Sequence, residues 1–175
     1  MRGMERSITC LVMPKHEATE RFTFRQLPSL LKNPILVSLY IVIAFIATGY
    51  YTGYSYIEPF MAQIANMSPS LITTSLTIFG LAGLAGSIIF SKVYDLNRFR
   101  FIAITLTGVM ISLLSLQICA SSFTAIIAIC IIWGTCSTAF NVAFQSELIR
   151  YTNPSASAVA MSIYSGLFNF NRRGF

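Results

Sequence analysis

The stretch Ile35–Phe60, ILVSLYIVIAFIATGYYTGYSYIEPF, decides the fold of this chain. It is uncharged from Asn33 to Ile57, 25 residues, and then meets Glu58 and Pro59. At about 1.5 Å per helical residue, that length crosses a hydrocarbon core of about 30 Å. The first half is aliphatic, with Val37, Leu39, Ile41, Val42 and Ile43. The second half is crowded with hydroxyls: Thr48, Tyr50, Tyr51, Thr52, Tyr54, Ser55 and Tyr56 fall within nine positions. A helix facing only lipid gains nothing from such groups, because polar atoms in hydrocarbon are costly without partners. Thr48, Tyr51, Ser55 and Glu58 recur at i, i+3, i+7 and i+10, which is one helical face. The span reads as one polar wall of a pocket or pathway, ending in an acid near one membrane surface.

Working outward, the same apolar signature repeats. Of the 175 residues, 55% are hydrophobic and 10% are charged; a soluble domain carries about 25% charged residues. Uncharged runs cover Pro59–Ser91, 33 residues, and Phe101–Ser146, 46 residues, the longer one enough for two crossings. The expected spans are about 35–57, 71–90, 101–120 and 123–144, with a partial fifth over 156–170. The fold class is therefore all-α: a polytopic helical membrane protein with four full transmembrane helices and part of a fifth. Residues 1–34 form a polar segment and residues 35–175 the transmembrane helical domain.

The charges report topology. Arg2, Arg6, Lys15, Arg21, Arg25 and Lys32 precede the first span, and Lys92, Arg98 and Arg100 sit in the short segment Ser91–Arg100. Basic residues mark cytoplasmic segments, so the N-terminus and that loop are expected inside. The net charge of +6 thus points to membrane orientation and away from nucleic acid. The leading segment lacks the apolar region of a cleaved signal peptide. Within it, Arg21–Leu31 (RFTFRQLPSLL) is expected to be a tether or a membrane-surface segment.

No enzymatic constellation is visible. The four cysteines, Cys10, Cys119, Cys130 and Cys136, have no CxxC spacing, and His16 is the single histidine. A metal centre has no ligand set, and no cofactor is expected. Ser68 and Pro69 suit the N-cap and first position of the second helix. In that helix, Gly83/Ser87 and Ala82/Gly86 are small pairs four apart, which favour close helix packing over a ligand contact. Asp95, with three cations within five positions, reads as a helix cap or local ion pair, or else as a gate latch. In the fourth span, Gly134, Ser137/Thr138, Asn141 and Gln145 form a polar stripe, read as cavity lining ahead of the alternative, a helix–helix contact. The last apolar stretch, Ala156–Phe170, gives only about 22 Å of helix and reads as unfinished.

Several of these segments together carry a resemblance. Tyr54-Ser55-Tyr56-Ile57-Glu58-Pro59-Phe60, Phe79-Gly80-Leu81-Ala82-Gly83 with Gly86-Ser87, Trp133-Gly134 and Gln145-Ser146 occur in order. Leu27-Pro28-Ser29-Leu30-Leu31 with Pro34 precedes them. Over about Leu27–Asn169 the chain resembles the C-terminal half of bacterial sugar efflux transporters, in the drug:proton antiporter-type branch of the major facilitator superfamily. The resemblance implies that the spans correspond to helices seven to eleven of a twelve-helix fold, in which the seventh and tenth line the central cavity. It implies proton-coupled export of a small sugar-like solute by alternating access, in the bacterial cytoplasmic (inner) membrane.

On that resemblance, Tyr51, Tyr54, Ser55, Asn141 and Gln145 are the candidate substrate contacts, with Trp133 offered as a stacking surface for a sugar ring. Glu58 is the candidate for proton coupling; the alternative is an interfacial acid that orients the outer loop. Asp95, Arg98 and Arg100 stand where the family carries its glycine–aspartate–arginine signature, without the usual glycines. After Asn169 the sequence departs from the family pattern. The chain is expected to be a fragment, inactive alone: either a half-transporter that needs a separately encoded N-terminal six-helix half, or a non-transporting membrane remnant; its partners are the lipid bilayer and the small solute.

Overall fold

The computed structural model describes residues 32–173. The expected surface segment Arg21–Leu31 lies outside the described residues. Five helices follow in order: α1 (Pro34–Gln63), α2 (Pro69–Val93), α3 (Arg98–Ile118), α4 (Phe123–Arg150) and α5 (Ser157–Arg173). Short 3-10 turns at Tyr94–Leu96 and Pro154–Ala156 lead into α3 and α5. No strand occurs among the described residues. Four helices are long and apolar enough to cross a membrane: Pro34–Gln63, the continuous Pro69–Leu96, Arg98–Ile118 and Phe123–Arg150. Helix α5 has 17 residues, about 25 Å at the helical rise.

Local chemistry sets the boundaries. Asn33 caps α1, its Oδ1 accepting from the Ile35 N–H at 3.1 Å, and Pro34 takes the first position, where no donor is needed. Helix α1 continues through Pro59, which lacks the N–H that would bond back one turn. Asn66, at φ 51°, turns the chain towards α2 in the left-handed region that asparagine tolerates. Ser68 precedes α2 in extended conformation, but its hydroxyl pairs with Ser70 Oγ at 3.1 Å and does not cap the helix. Asn97 caps α3, accepting from the Arg100 N–H at 3.2 Å, so the cap expected of Asp95 is supplied two residues later.

Helix α4 is the hub. Against α2 it packs backbone to backbone. A Cβ on Gly86 would collide with the Thr135 carbonyl, and one on Gly134 with the Phe79 carbonyl. The Thr135 hydroxyl bridges the seam by donating to the Ala82 carbonyl at 3.2 Å. Small residues stabilise membrane helices in this way, through dispersion between closely approaching backbones. Helix α3 packs on α4 at Gly108, beside Cys136. Helices α1 and α5 meet each other where the Tyr40 hydroxyl donates to the Ala160 carbonyl at 3.2 Å.

The apolar core divides along the bundle axis. Leu36, Tyr40, Ile43, Phe140, Phe144, Leu148, Val159, Ala160 and Tyr164 pack together towards the Pro34 end. Ile57, Met61, Ile126, Cys130 and Trp133 pack together towards the Met67 end. The candidate site lies between these two clusters.

Candidate functional site

A cavity of about 520 Å³ opens between α1, α3, α4 and α5, a size within the range of small-molecule sites. Helix α1 contributes Gly49, Tyr50 and Tyr51; α4 contributes Ser137, Thr138, Phe140 and Asn141; α5 contributes Phe168. Leu106, Val109, Met110 and Leu113 of α3 make an apolar wall. Hydroxyls and an amide thus face aliphatic and aromatic side chains, a lining suited to a solute with both apolar faces and several hydroxyls.

The structure brings some of the expected residues to this cavity and leaves others away from it. Tyr51 and Asn141 line it directly. Gln145, one turn along α4, donates from Nε2 to Asn141 Oδ1 at 2.6 Å, so the two amides act as one unit. Tyr54 and Trp133 connect through Tyr50: Tyr54 stacks on it at 6.1 Å and 14°, and Trp133 meets it edge-on at 6.2 Å. Trp133 is fully buried, with Phe79 edge-on at 5.2 Å on another side. Its ring backs Tyr50 and is not among the residues lining the cavity. Ser55 and Glu58 are exposed and do not line it either.

Tyr50 was hidden among the hydroxyl-rich residues. It is next to Tyr51 in sequence, so about 100° around the helix, and the i, i+3, i+7 face drawn through Tyr51 excludes it. Both of these neighbouring wheel positions nevertheless line the cavity. Thr48 and Thr52, in the same hydroxyl-rich stretch, donate to the carbonyls of Ala44 and Thr48, each at 2.8 Å. Such back-bonding satisfies a hydroxyl within its own helix.

A second polar cluster lies at the Pro34 end. Glu147 on α4 is 4% exposed. Its Oε1 accepts from the Tyr94 hydroxyl at 2.6 Å and from Arg98 Nη1 at 3.0 Å, and its Oε2 receives Arg98 Nη1 at 3.2 Å. Of the three loop residues singled out in the sequence, Arg98 therefore reaches across to α4, while Asp95 and Arg100 are exposed. Sequence reasoning missed Glu147 as the partner. The available signal was that the 46-residue uncharged run starts just after Arg98 and Arg100 and ends at Glu147. A hairpin of two spans returns such ends to the same membrane face. Glu147 also lines a second cavity of about 480 Å³, between α1, α3 and α4, with Pro34, Ser38, Phe99 and Tyr151.

A bundle with four membrane-length helices around a cavity of mixed polarity defines an integral membrane protein. Residues 9–171 match the Major Facilitator Superfamily, and the chain belongs to that family. A probable sugar efflux transporter of Helicobacter pylori (strain HPAG1) is 35% identical over 158 residues, 90% of this chain. The Mannheimia succiniciproducens protein of the same description is 33% identical over 163 residues, 93% of this chain. One from Haemophilus influenzae (strain PittGG) is 32% identical over 158 residues. The chain spans 40–41% of the length of these relatives.

Proposed function

We propose that this chain forms the substrate-cavity wall of a sugar-efflux-type carrier. In this reading the carrier exports a sugar or a related small solute by alternating access, driven by the proton gradient. The observation that carries it is the 520 Å³ cavity flanked by Tyr50 and Tyr51 on one helix and by Ser137 and Asn141 on another. Relatives 35% and 33% identical bear the name of probable sugar efflux transporters, which supports a sugar as the solute. Hydroxyl and amide groups on separate helices allow a polyol to bridge them, and the bridge changes when one helix shifts. That is the differential binding alternating access requires.

Tyr51, Asn141 and Gln145 are the first contacts in this reading, with Tyr54 and Trp133 fixing Tyr50. Ser55 and Glu58 belong to the exit side, where Glu58 is the proton-coupling candidate. The Tyr94–Arg98–Glu147 cluster holds the opposite end closed, as a latch that also orders the loop carrying Asp95 and Arg100. The excess of basic residues before α1 supports an N-terminus in the cytoplasm and residence in the bacterial inner membrane.

A second reading rests on the 40% share of the relatives' length: the chain is a half that works only with a further six-helix unit, or does not transport. Efflux of a labelled sugar from cells making only this chain, with membrane expression confirmed, separates the two. Energy-dependent efflux above the vector control establishes a working carrier. Efflux only on co-expression of an N-terminal six-helix half establishes a split one. No efflux in either case overturns transport as the function.

A further inference from the structure

Among the described residues, two buried side-chain polar atoms lack a hydrogen-bond partner: Trp133 Nε1 and the Tyr164 hydroxyl. The hydroxyl is the more telling one. Tyr164, on α5, is 5% exposed. A buried hydroxyl without a partner is costly, and native structures keep few of them without a reason. Its ring packs in one cluster with Tyr40, Phe140 and Phe144, and Asn141 and Gln145 directly follow those two phenylalanines in α4. Phe168, one turn along α5, packs on the Tyr164 ring at 4.7 Å and meets Tyr51 at 6.0 Å, and Phe168 itself lines the cavity. Tyr164 thus sits just behind the cavity rim, beside the Asn141–Gln145 pair.

Hydrogen-bonding capacity at this point is unspent. The Gln145–Asn141 bond uses one N–H and one carbonyl lone pair. The Gln145 carbonyl, the Asn141 amide group and the Tyr164 hydroxyl can each still engage another partner. Donors and acceptors on two helices, side by side, match a ligand hydroxyl, which donates and accepts at once.

We propose that the Tyr164 hydroxyl, together with the Asn141–Gln145 amide pair, is a contact that reads one hydroxyl of the transported sugar at the α5 edge of the cavity. The inference rests on the reading of the cavity as a sugar site. It adds α5 to the elements that recognise solute.

Equilibrium binding of labelled glucose and labelled sucrose to the full chain in lipid nanodiscs tests it, comparing wild type with Tyr164→Phe and Asn141→Ala. Tyr164→Phe removes one oxygen and keeps the ring, so packing against Phe168 is retained. The expected result is about tenfold weaker sugar binding by Tyr164→Phe. One monodeoxyglucose is expected to compete equally well on both forms, because the hydroxyl it lacks is the one Tyr164 reads. Unchanged affinity in Tyr164→Phe alongside a loss in Asn141→Ala overturns the role of Tyr164 and leaves the cavity as a sugar site. Equal losses for every deoxy analogue overturn it as well, because the hydroxyl then acts on the fold and not on the ligand. Wild-type chain that binds neither sugar, alone or reconstituted with an N-terminal six-helix half, overturns the sugar reading and this inference together.

Discussion

Helix α4 has two working sides, and they are built in opposite ways. Towards α2 it presents Gly134, Thr135 and Thr138, and α2 answers with Ala82, Gly83 and Gly86, so that backbones touch. Towards α1 it presents Ser137, Phe140 and Asn141, and α1 answers with Tyr50 and Tyr51, so that side chains stand around a 520 Å³ space. The first seam leaves no room for rearrangement, because interdigitated backbones have one good fit. The second leaves open space between side chains, so a shift there sacrifices fewer close contacts. In a membrane, where no hydrophobic driving force separates helix from lipid, tight small-residue contact is what holds a pair together. On the proposed reading the solute would lie on the loose side and the scaffold on the tight one.

The strongest way to break this contrast is to insert volume into the tight seam. Gly86→Val sets two methyl groups and a Cβ against the Thr135 carbonyl and the Ala139 backbone nitrogen. Neither neighbour is a flexible side chain, so the helices must separate, at a cost on the order of 3 kcal/mol or more. Gel filtration of the detergent-extracted variant should show aggregated or missing protein. A monodisperse, wild-type-like Gly86→Val chain would mean that the seam is not the scaffold.

Next in size is the loss of the buried ion pair. Arg98→Ala leaves the Glu147 carboxylate, 4% exposed, with only the Tyr94 hydroxyl. An unpaired buried charge is strongly destabilising, whereas removing both partners costs much less. Thermal unfolding should show a clear fall in Tm for Arg98→Ala and substantial recovery in Arg98→Ala/Glu147→Gln. Equal Tm values for the single and double variants would show that Arg98 contributes through its own packing, for instance over the Phe99 ring at 5.8 Å.

The sequence made the fold legible because charge and length are coarse signals. Runs of 33 and 46 uncharged residues admit little besides membrane helices, and small residues four apart in α2 announce a close partner. Which helix that partner is cannot be read from α2, since small-residue spacing specifies proximity and not identity. The site was half legible for a related reason. Asn141 and Gln145 stand out because amides are rare in apolar helices, and Tyr51 because it lies on a hydroxyl-bearing face. Tyr50 and Glu147 did not stand out. Tyrosine is at home both in a core and at a membrane interface, and the pairing of Glu147 with Arg98 joins residues 49 apart. Trp133 illustrates the converse: an aromatic at helical spacing from polar residues turns out to be enclosed between Tyr50 and Phe79.

A smaller effect sharpens the loose side. Asn141→Ala removes the acceptor that Gln145 Nε2 reaches at 2.6 Å and takes an amide out of the cavity wall. Substrate affinity should fall about tenfold, the worth of one good hydrogen bond plus the stranded amide. Tm should change little, because the cavity already accommodates the lost volume. Sugar binding and unfolding measured on the same preparation check both halves of this expectation. A large drop in Tm without a binding defect would move Asn141 from the site to the scaffold.

The smallest expected effect is also the cleanest comparison, because the same methyl group can be added on each side. A Cβ on Gly49 of α1 meets nothing within 4 Å, although the residue lines the cavity. On Gly86 it meets backbone at once. Gly49→Ala should keep or slightly raise Tm, since alanine is the better helix former by up to about 1 kcal/mol in water. It should weaken solute binding less than about threefold, an effect well under 1 kcal/mol, as a single methyl group trims the cavity. Gly86→Ala should lower Tm while any protein that folds binds normally. If the two alanines shift Tm alike, α1 is held as firmly as α2, and a pliable wall on the α1 side is the wrong account of how this bundle works.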